Sequence, residues 1–121
     1  MDKRRRRGDR GEAAVADALV QRGCEILERQ YRCRWGEIAL MVRAPDGTLC
    51  FVEVKTRSAG AIAPAREAVT PAKRRRLWNT ASVYLAQTGL DCVCRFDVAE
   101  VYGSWEKLRI HYIANAFQGG G

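Results

Sequence analysis

The sequence predicts an α/β domain in which a central mixed sheet of about five strands is flanked by helices. Three observations carry that expectation. Apolar residues recur at helical spacing after Gly11 and again after Pro71, short alternating segments fill the middle and end of the chain, and turn residues mark the boundaries between them. No internal repeat or interior linker interrupts the pattern. The organisation is a basic tail at residues 1–7, disordered until it meets phosphate, then a single domain at 8–118 and a flexible glycine tail at 119–121.

From Gly11 to about Arg22, Val15, Ala16, Leu19 and Val20 lie three, four, seven and eight positions beyond Glu12, so a helix is expected to bury that stripe, with Glu12 at its start. A carboxylate in the first turn suits the helix macrodipole; the competing reading has it reach toward a metal or phosphate site. Cys24 to Tyr31, Trp35 to Arg43 and Leu49 to Arg57 read as three strands, with Pro45-Asp46-Gly47 turning the second into the third. On the second strand, Ile38, Leu40 and Val42 should share one face and Trp35, Glu37, Ala39 and Met41 the other. Pairing the two arms would bring Glu37 near Glu53.

An alanine-rich loop with Gly60 and Pro64 leads to Thr70-Pro71, an N-cap followed by proline at the first helical position. The helix that follows should run to about Gln87 and bury Leu77, Trp78, Ala81, Tyr84 and Leu85 as ordinary core. Cys92 to Tyr102 and Lys107 to Ile113 alternate as a fourth and fifth strand joined around Gly103-Ser104.

With 121 residues and 47% apolar content the chain can bury one core. Its net charge of +7 and pI near 9.5 favour a polyanionic partner, nucleic acid ahead of an anionic membrane surface. The block Lys3-Arg4-Arg5-Arg6-Arg7 is one cationic run and Lys73-Arg74-Arg75-Arg76 is another. Four cations near a helix N-terminus oppose the macrodipole and one another, which local stability does not ask for but phosphate binding would use. The plain alternative is a solvated basic face. Arg10 and the second run are the nucleic-acid contacts expected. DNA is placed ahead of RNA, which stays open because nothing reads a base edge or a 2′-hydroxyl and no stacking platform stands out among the three tryptophans.

Five cysteines, Cys24, Cys33, Cys50, Cys92 and Cys94, have neither an even count nor paired C-x-x-C spacing, so they read as reduced thiols of a cytoplasmic protein. His111, the single histidine, reads as a packing or surface residue. Gly8-Asp9-Arg10-Gly11-Glu12 stands where a signal peptide would carry its apolar stretch, and no run approaches membrane-spanning length, so membrane association is not expected.

The most informative segment is Phe51-Val52-Glu53-Val54-Lys55. Strand side chains alternate, so Glu53 and Lys55 point one way while Val52 and Val54 point the other. Phosphodiester hydrolysis needs a hard divalent cation on oxygen ligands, a water held beside it and positive charge near the developing transition state. Glu53 could ligate and Lys55 could orient the water. A cross-strand ion pair on a half-exposed strand is the simpler reading of the same residues.

Gly11-Glu12, Gly36-Glu37-Ile38, Phe51-Val52-Glu53-Val54-Lys55, Val69 with Lys73, Arg95-Phe96-Asp97-Val98 and Asn115-Ala116-Phe117 together resemble the small bacterial YraN-like proteins over nearly the whole chain. The resemblance implies a restriction-endonuclease-like fold, similar to Holliday-junction resolvases and the P-D…(D/E)-x-K nucleases. It implies Mg²⁺ or Mn²⁺ as cofactor if the protein is active, metal contacts from Glu53, Glu37 and Glu12, catalytic roles for Glu53, Lys55 and Glu12, and a homodimer by analogy with resolvases. One position departs: where the family reads Gly-Glu-Ile-Asp-Leu, this chain has Ala39 in place of the metal-binding aspartate. The readings this leaves are a metal-dependent endonuclease with a weakened site, an inactive nucleic-acid-binding module, and a protein-interaction domain whose charge serves solubility.

Overall fold

The computed structural model describes residues 3–57, 70–103 and 106–117, with side chains from Arg10 onward. Along them run α1 (Lys3–Gln21), β1 (Glu25–Cys33), β2 (Gly36–Arg43), β3 (Leu49–Thr56), α2 (Pro71–Thr88), β4 (Cys94–Gly103) and β5 (Leu108–Phe117). The strands form one mixed sheet in the order β1-β2-β3-β4-β5. β1, β2 and β3 make an antiparallel meander, β4 joins β3 in parallel, and β5 returns antiparallel to β4. A parallel neighbour needs a crossover, and α2 lies in that connection. Gly60, Pro64, Val69, Ser104 and the glycines 119–121 lie outside the described residues.

The apolar runs of β2, β3 and β4 are buried on both faces, as central strands covered by helices on either side must be. On one face Val15, Ala16 and Leu19 of α1 pack against Leu40, Val42, Cys50, Val52, Ala99 and Val101. On the other, Leu77, Ala81 and Tyr84 of α2 pack against Met41, Phe51, Phe96 and Val98, with Trp78 and Leu85 partly buried beside them. The helix start expected at Thr70 is present: its hydroxyl accepts a hydrogen bond from the Lys73 backbone N–H at 3.2 Å.

Several boundaries differ from the sequence-based expectation. α1 begins at Lys3 instead of Gly11, so the backbone of the basic run continues into the helix. Arginine and lysine are good helix formers, and the two internal glycines, Gly8 and Gly11, cost only about 1 kcal/mol each. Val20, assigned to the buried stripe, is 52% exposed, because it lies a 100° step away from Leu19 on the last turn, where the chain leaves the sheet. Ile38 does not share a face with Leu40 and Val42: it packs with Met41 on the α2 side. The strict alternation is interrupted at Ala39, which drops out of the β1–β2 pairing opposite Gln30, a residue with φ of 51°.

β5 runs to Phe117, past the Ile113 expected. The β4–β5 register shifts between Phe96 and Val98, and the fully buried carboxylate of Asp97 fills the irregularity. It accepts hydrogen bonds from Arg95 Nε (3.1 Å), the backbone N–H of Asn115 (2.8 Å) and the Tyr112 hydroxyl. Periodicity has no signal for a strand carried across such a break by a side chain.

Candidate nucleic-acid and metal site

The site begins where β2 and β3 separate. Their pairing ends at Leu40 opposite Val52, while β3 continues beside β4 as far as Thr56 opposite Val101. Glu53 and Lys55 are therefore braced on one side by Val98 and Glu100 and lack a hydrogen-bonded neighbour from β2 on the other. Gly36 opens β2 at φ of 148°, close enough to α2 that a Cβ there would lie 3.5 Å from Thr80 Oγ1. This close approach carries Trp35 and Glu37 toward the first turns of α2, and together with Thr70, Lys73, Arg76 and Leu77 they line a groove of about 410 Å³.

Burial pushes the Glu53 carboxyl above the usual range, Lys73 and Lys55 pull it back, and Glu37 and Glu12 add to the rise. All four are thus within electrostatic reach of Glu53. Lys55 is half-buried, and burial lowers its amine below the ordinary lysine value; the neighbouring charge of Lys73 lowers it further, while Glu53 opposes the shift. Two neighbouring amines beside a desolvated carboxyl form a centre that does not hold all of its charges comfortably.

The other acidic residues reach this centre with partners of their own. Glu12, half-buried on α1, accepts a hydrogen bond from Gln30 Nε2 at 2.8 Å. Glu37 is paired with Arg32 across the β1–β2 ladder at 3.0 Å. Ala39 is 7% exposed and offers only a methyl group. Arg10 is exposed on α1.

Helical geometry divides the second basic run, because successive residues step by about 100°. Lys73 and Arg76, three apart, line the groove. Arg74 lies with its guanidinium carbon 5.6 Å from the centre of the Phe117 ring, and Arg75 is exposed.

The same sheet face carries groups that sequence reasoning passed over. Glu100, 2% exposed, accepts from Arg57 Nε at 3.3 Å and lies 3.2 Å from His111 Nδ1. Nη2 of Arg57 is buried with no hydrogen-bond partner among the described residues. The available signal was the parity of Arg57 with Lys55 and Glu53, since alternate strand residues share a face. Pairing Lys55 with Glu100 required the β3–β4 register, which no local pattern reveals.

A divalent cation needs several oxygen donors around one point. Among the described residues no three His, Cys, Asp or Glu side chains gather closely enough to hold an ion. Glu53 is desolvated at the centre, Glu100 is held by Arg57 beside His111, Glu12 and Glu37 are engaged with Gln30 and Arg32, and position 39 supplies no carboxylate. The donor set as it stands does not fit Mg²⁺ or Mn²⁺ well.

Among the described residues no helix is long and apolar enough to cross a membrane. Residues 11–101 match a family described as "Uncharacterised protein family UPF0102". A UPF0102 protein of Symbiobacterium thermophilum is 48% identical over 93% of this chain and 97% of its own length. One from Gloeobacter violaceus is 46% identical over 100% of this chain and 99% of its own, and one from Cupriavidus necator 43% identical over 92% and 82%. A search of solved structures returns Pyrococcus furiosus SfsA in complex with Ca²⁺, at 15% identity and a TM-score of 0.42, covering 91% of this chain and 63% of that one. With relatives this similar along nearly its whole length, the chain belongs to the UPF0102 family.

Proposed function

We propose that this protein binds nucleic acid, DNA in preference to RNA, and that its acidic centre is a nuclease-type site one carboxylate short. The observation that carries this reading is the half-buried Glu53 and Lys55 pair beside Lys73, exposed where β2 leaves β3. Desolvated acid and amine side by side lower stability, and such arrangements cluster at functional sites. Lys73 and Arg76 in the groove, Arg75 exposed beside them on α2 and the net charge of +7 support a phosphate-bearing partner, with Arg10 exposed on α1 as a further cation.

Catalysis in the P-D…(D/E)-x-K manner would draw on a divalent cation to polarise the phosphate and lower the pKa of a bound water. This chain's own contribution would be Glu53 as a ligand and Lys55 to orient the water. With Ala39 in place of a carboxylate, metal affinity is low and cleavage slow or absent, while binding survives. Phosphate contacts are shared among many cations, whereas hydrolysis depends on a few oxygens in one arrangement.

The test is binding to duplex DNA over a range of salt. About six phosphate contacts give a log–log slope near roughly −5. A flat response would remove nucleic acid as the partner and leave a protein-interaction domain.

A further inference from the structure

We propose that the groove between Trp35 and α2 is a subsite for one unpaired DNA nucleotide, its base stacked on Trp35 and its phosphate held by Lys73 and Arg76. This rests on the nucleic-acid reading above and deepens it, because it assigns a substrate class: DNA with a single-stranded or extruded nucleotide beside the acidic centre.

Trp35 is one of the few large apolar side chains left open to solvent among the described residues, at 40% exposure. An exposed indole has a cost in water, and here it lines a concave surface together with two cations. The guanidinium of Arg34 lies 4.7 Å from its ring centre, so the indole already makes the cation–π contact typical of base-stacking platforms. A nucleobase has a π-face whatever its sequence, which makes such stacking tolerant of sequence. The groove, at about 410 Å³, is in the size range of small-ligand sites and admits a nucleotide but not a duplex.

Its polar lining suits the two ends of a nucleotide differently. Lys73 and Arg76, on one face of α2, supply positive charge for a phosphate, and Glu37, which also lines the groove, is an acceptor for a base N–H such as thymine N3–H. The charge of Lys73 also acts on Lys55 and Glu53, so a phosphate on Lys73 would lie near the acidic centre. A base in the groove would therefore set which phosphodiester faces Glu53.

The experiment compares wild type, Trp35→Ala and Trp35→Phe for binding to a single-stranded oligothymidylate and to a blunt duplex. Fluorescence anisotropy gives the affinities and tryptophan emission gives the stacking signal. Trp35→Ala is expected to weaken single-strand binding on the order of tenfold and to reduce the quenching of tryptophan emission by the share that Trp35 contributes, with duplex affinity within about twofold of wild type. Trp35→Phe should recover part of the lost affinity. Equal single-strand affinity in wild type and Trp35→Ala, or quenching of undiminished amplitude in Trp35→Ala, would overturn the proposal. Salt-dependent duplex binding would still stand in that case, so the subsite and the broader nucleic-acid reading fail separately. Unchanged thermal melting of both variants shows that the fold is retained.

Discussion

Ala39 and Glu53 occupy matching places on β2 and β3, each one residue past the Leu40–Val52 pair at which the two arms stop exchanging hydrogen bonds. Position 39 is thus the place on β2 level with Glu53 on β3, and a buried methyl group stands there. Around the pair, β4 braces Glu53, and the charges of Lys73 on α2, Glu12 on α1 and Glu37 on β2 act on it.

Ala39→Asp is expected to raise Mn²⁺ and Mg²⁺ affinity by about tenfold or more, since affinity at such sites follows the number and charge of oxygen ligands. Calorimetric titration reads it directly, and cleavage of branched and linear DNA reads the consequence. A folded variant that gains neither affinity nor cleavage would mean that the site has decayed beyond one residue.

Glu53→Gln should stabilise the protein at neutral pH, by about 0.5–2 kcal/mol, at the expense of any metal binding. The carboxyl is raised in the folded state by burial, so stability falls as pH rises from its unfolded value through its folded one and stays low above that. The substitution removes this fall. Melting curves at about pH 4 and about pH 8 should show the larger gain at the higher pH. A uniform gain at both would point to packing in place of ionisation.

Lys55→Met should also stabilise, with the opposite pH trend. The amine is lowered by burial, so the charged form opposes folding at every pH below its folded value, and the penalty fades as pH rises toward the unfolded value. The gain is therefore largest at neutral and acidic pH and vanishes in strong alkali. A substitution that destabilises at neutral pH would show that Lys55 contributes more through contacts than it loses by desolvation.

Lys73→Ala and Arg76→Ala should each reduce the salt slope of DNA binding by about one. Arg74→Ala should add a loss of stability of about 0.5–1 kcal/mol, because its guanidinium lies over Phe117. Denaturant unfolding separates the two effects.

Asp97→Ala is expected to cost about 3 kcal/mol or more, since it strips partners from the Tyr112 hydroxyl, the Asn115 N–H and Arg95 together. Tyr112→Phe removes one bond and should cost about 1 kcal/mol. Chemical denaturation checks both, and near-equal losses would place the value of the cluster in the tyrosine alone.

Most of the fold was legible because local patterns determine it. Thr70-Pro71 marked the start of α2, and Leu77, Ala81 and Tyr84 marked its buried side. The alternation in β3 placed Glu53 and Lys55 on one face. What escaped depended on contacts distant in sequence. The slip at Ala39 answers Gln30 in the neighbouring strand, and the irregular end of β5 is organised by Asp97 in β4. The shared face of Glu53 and Lys55 could be read ahead, but the separation of β2 from β3 and the exposure of Trp35 could not, because both depend on strand register and on the packing of α2.

The parallel seam between β3 and β4 has a consequence for assembly. The meander of β1 to β3 and the β4–β5 hairpin each join neighbours in sequence, whereas the seam must close a loop running from Leu49 to Cys94. Closing long loops delays folding more than zipping short ones. α2 lies within that loop, so the approach of Lys73 to Glu53 is a long-range event of the same kind. A chain caught part-way carries the same charge as the finished protein but not this juxtaposition of amine and carboxylate.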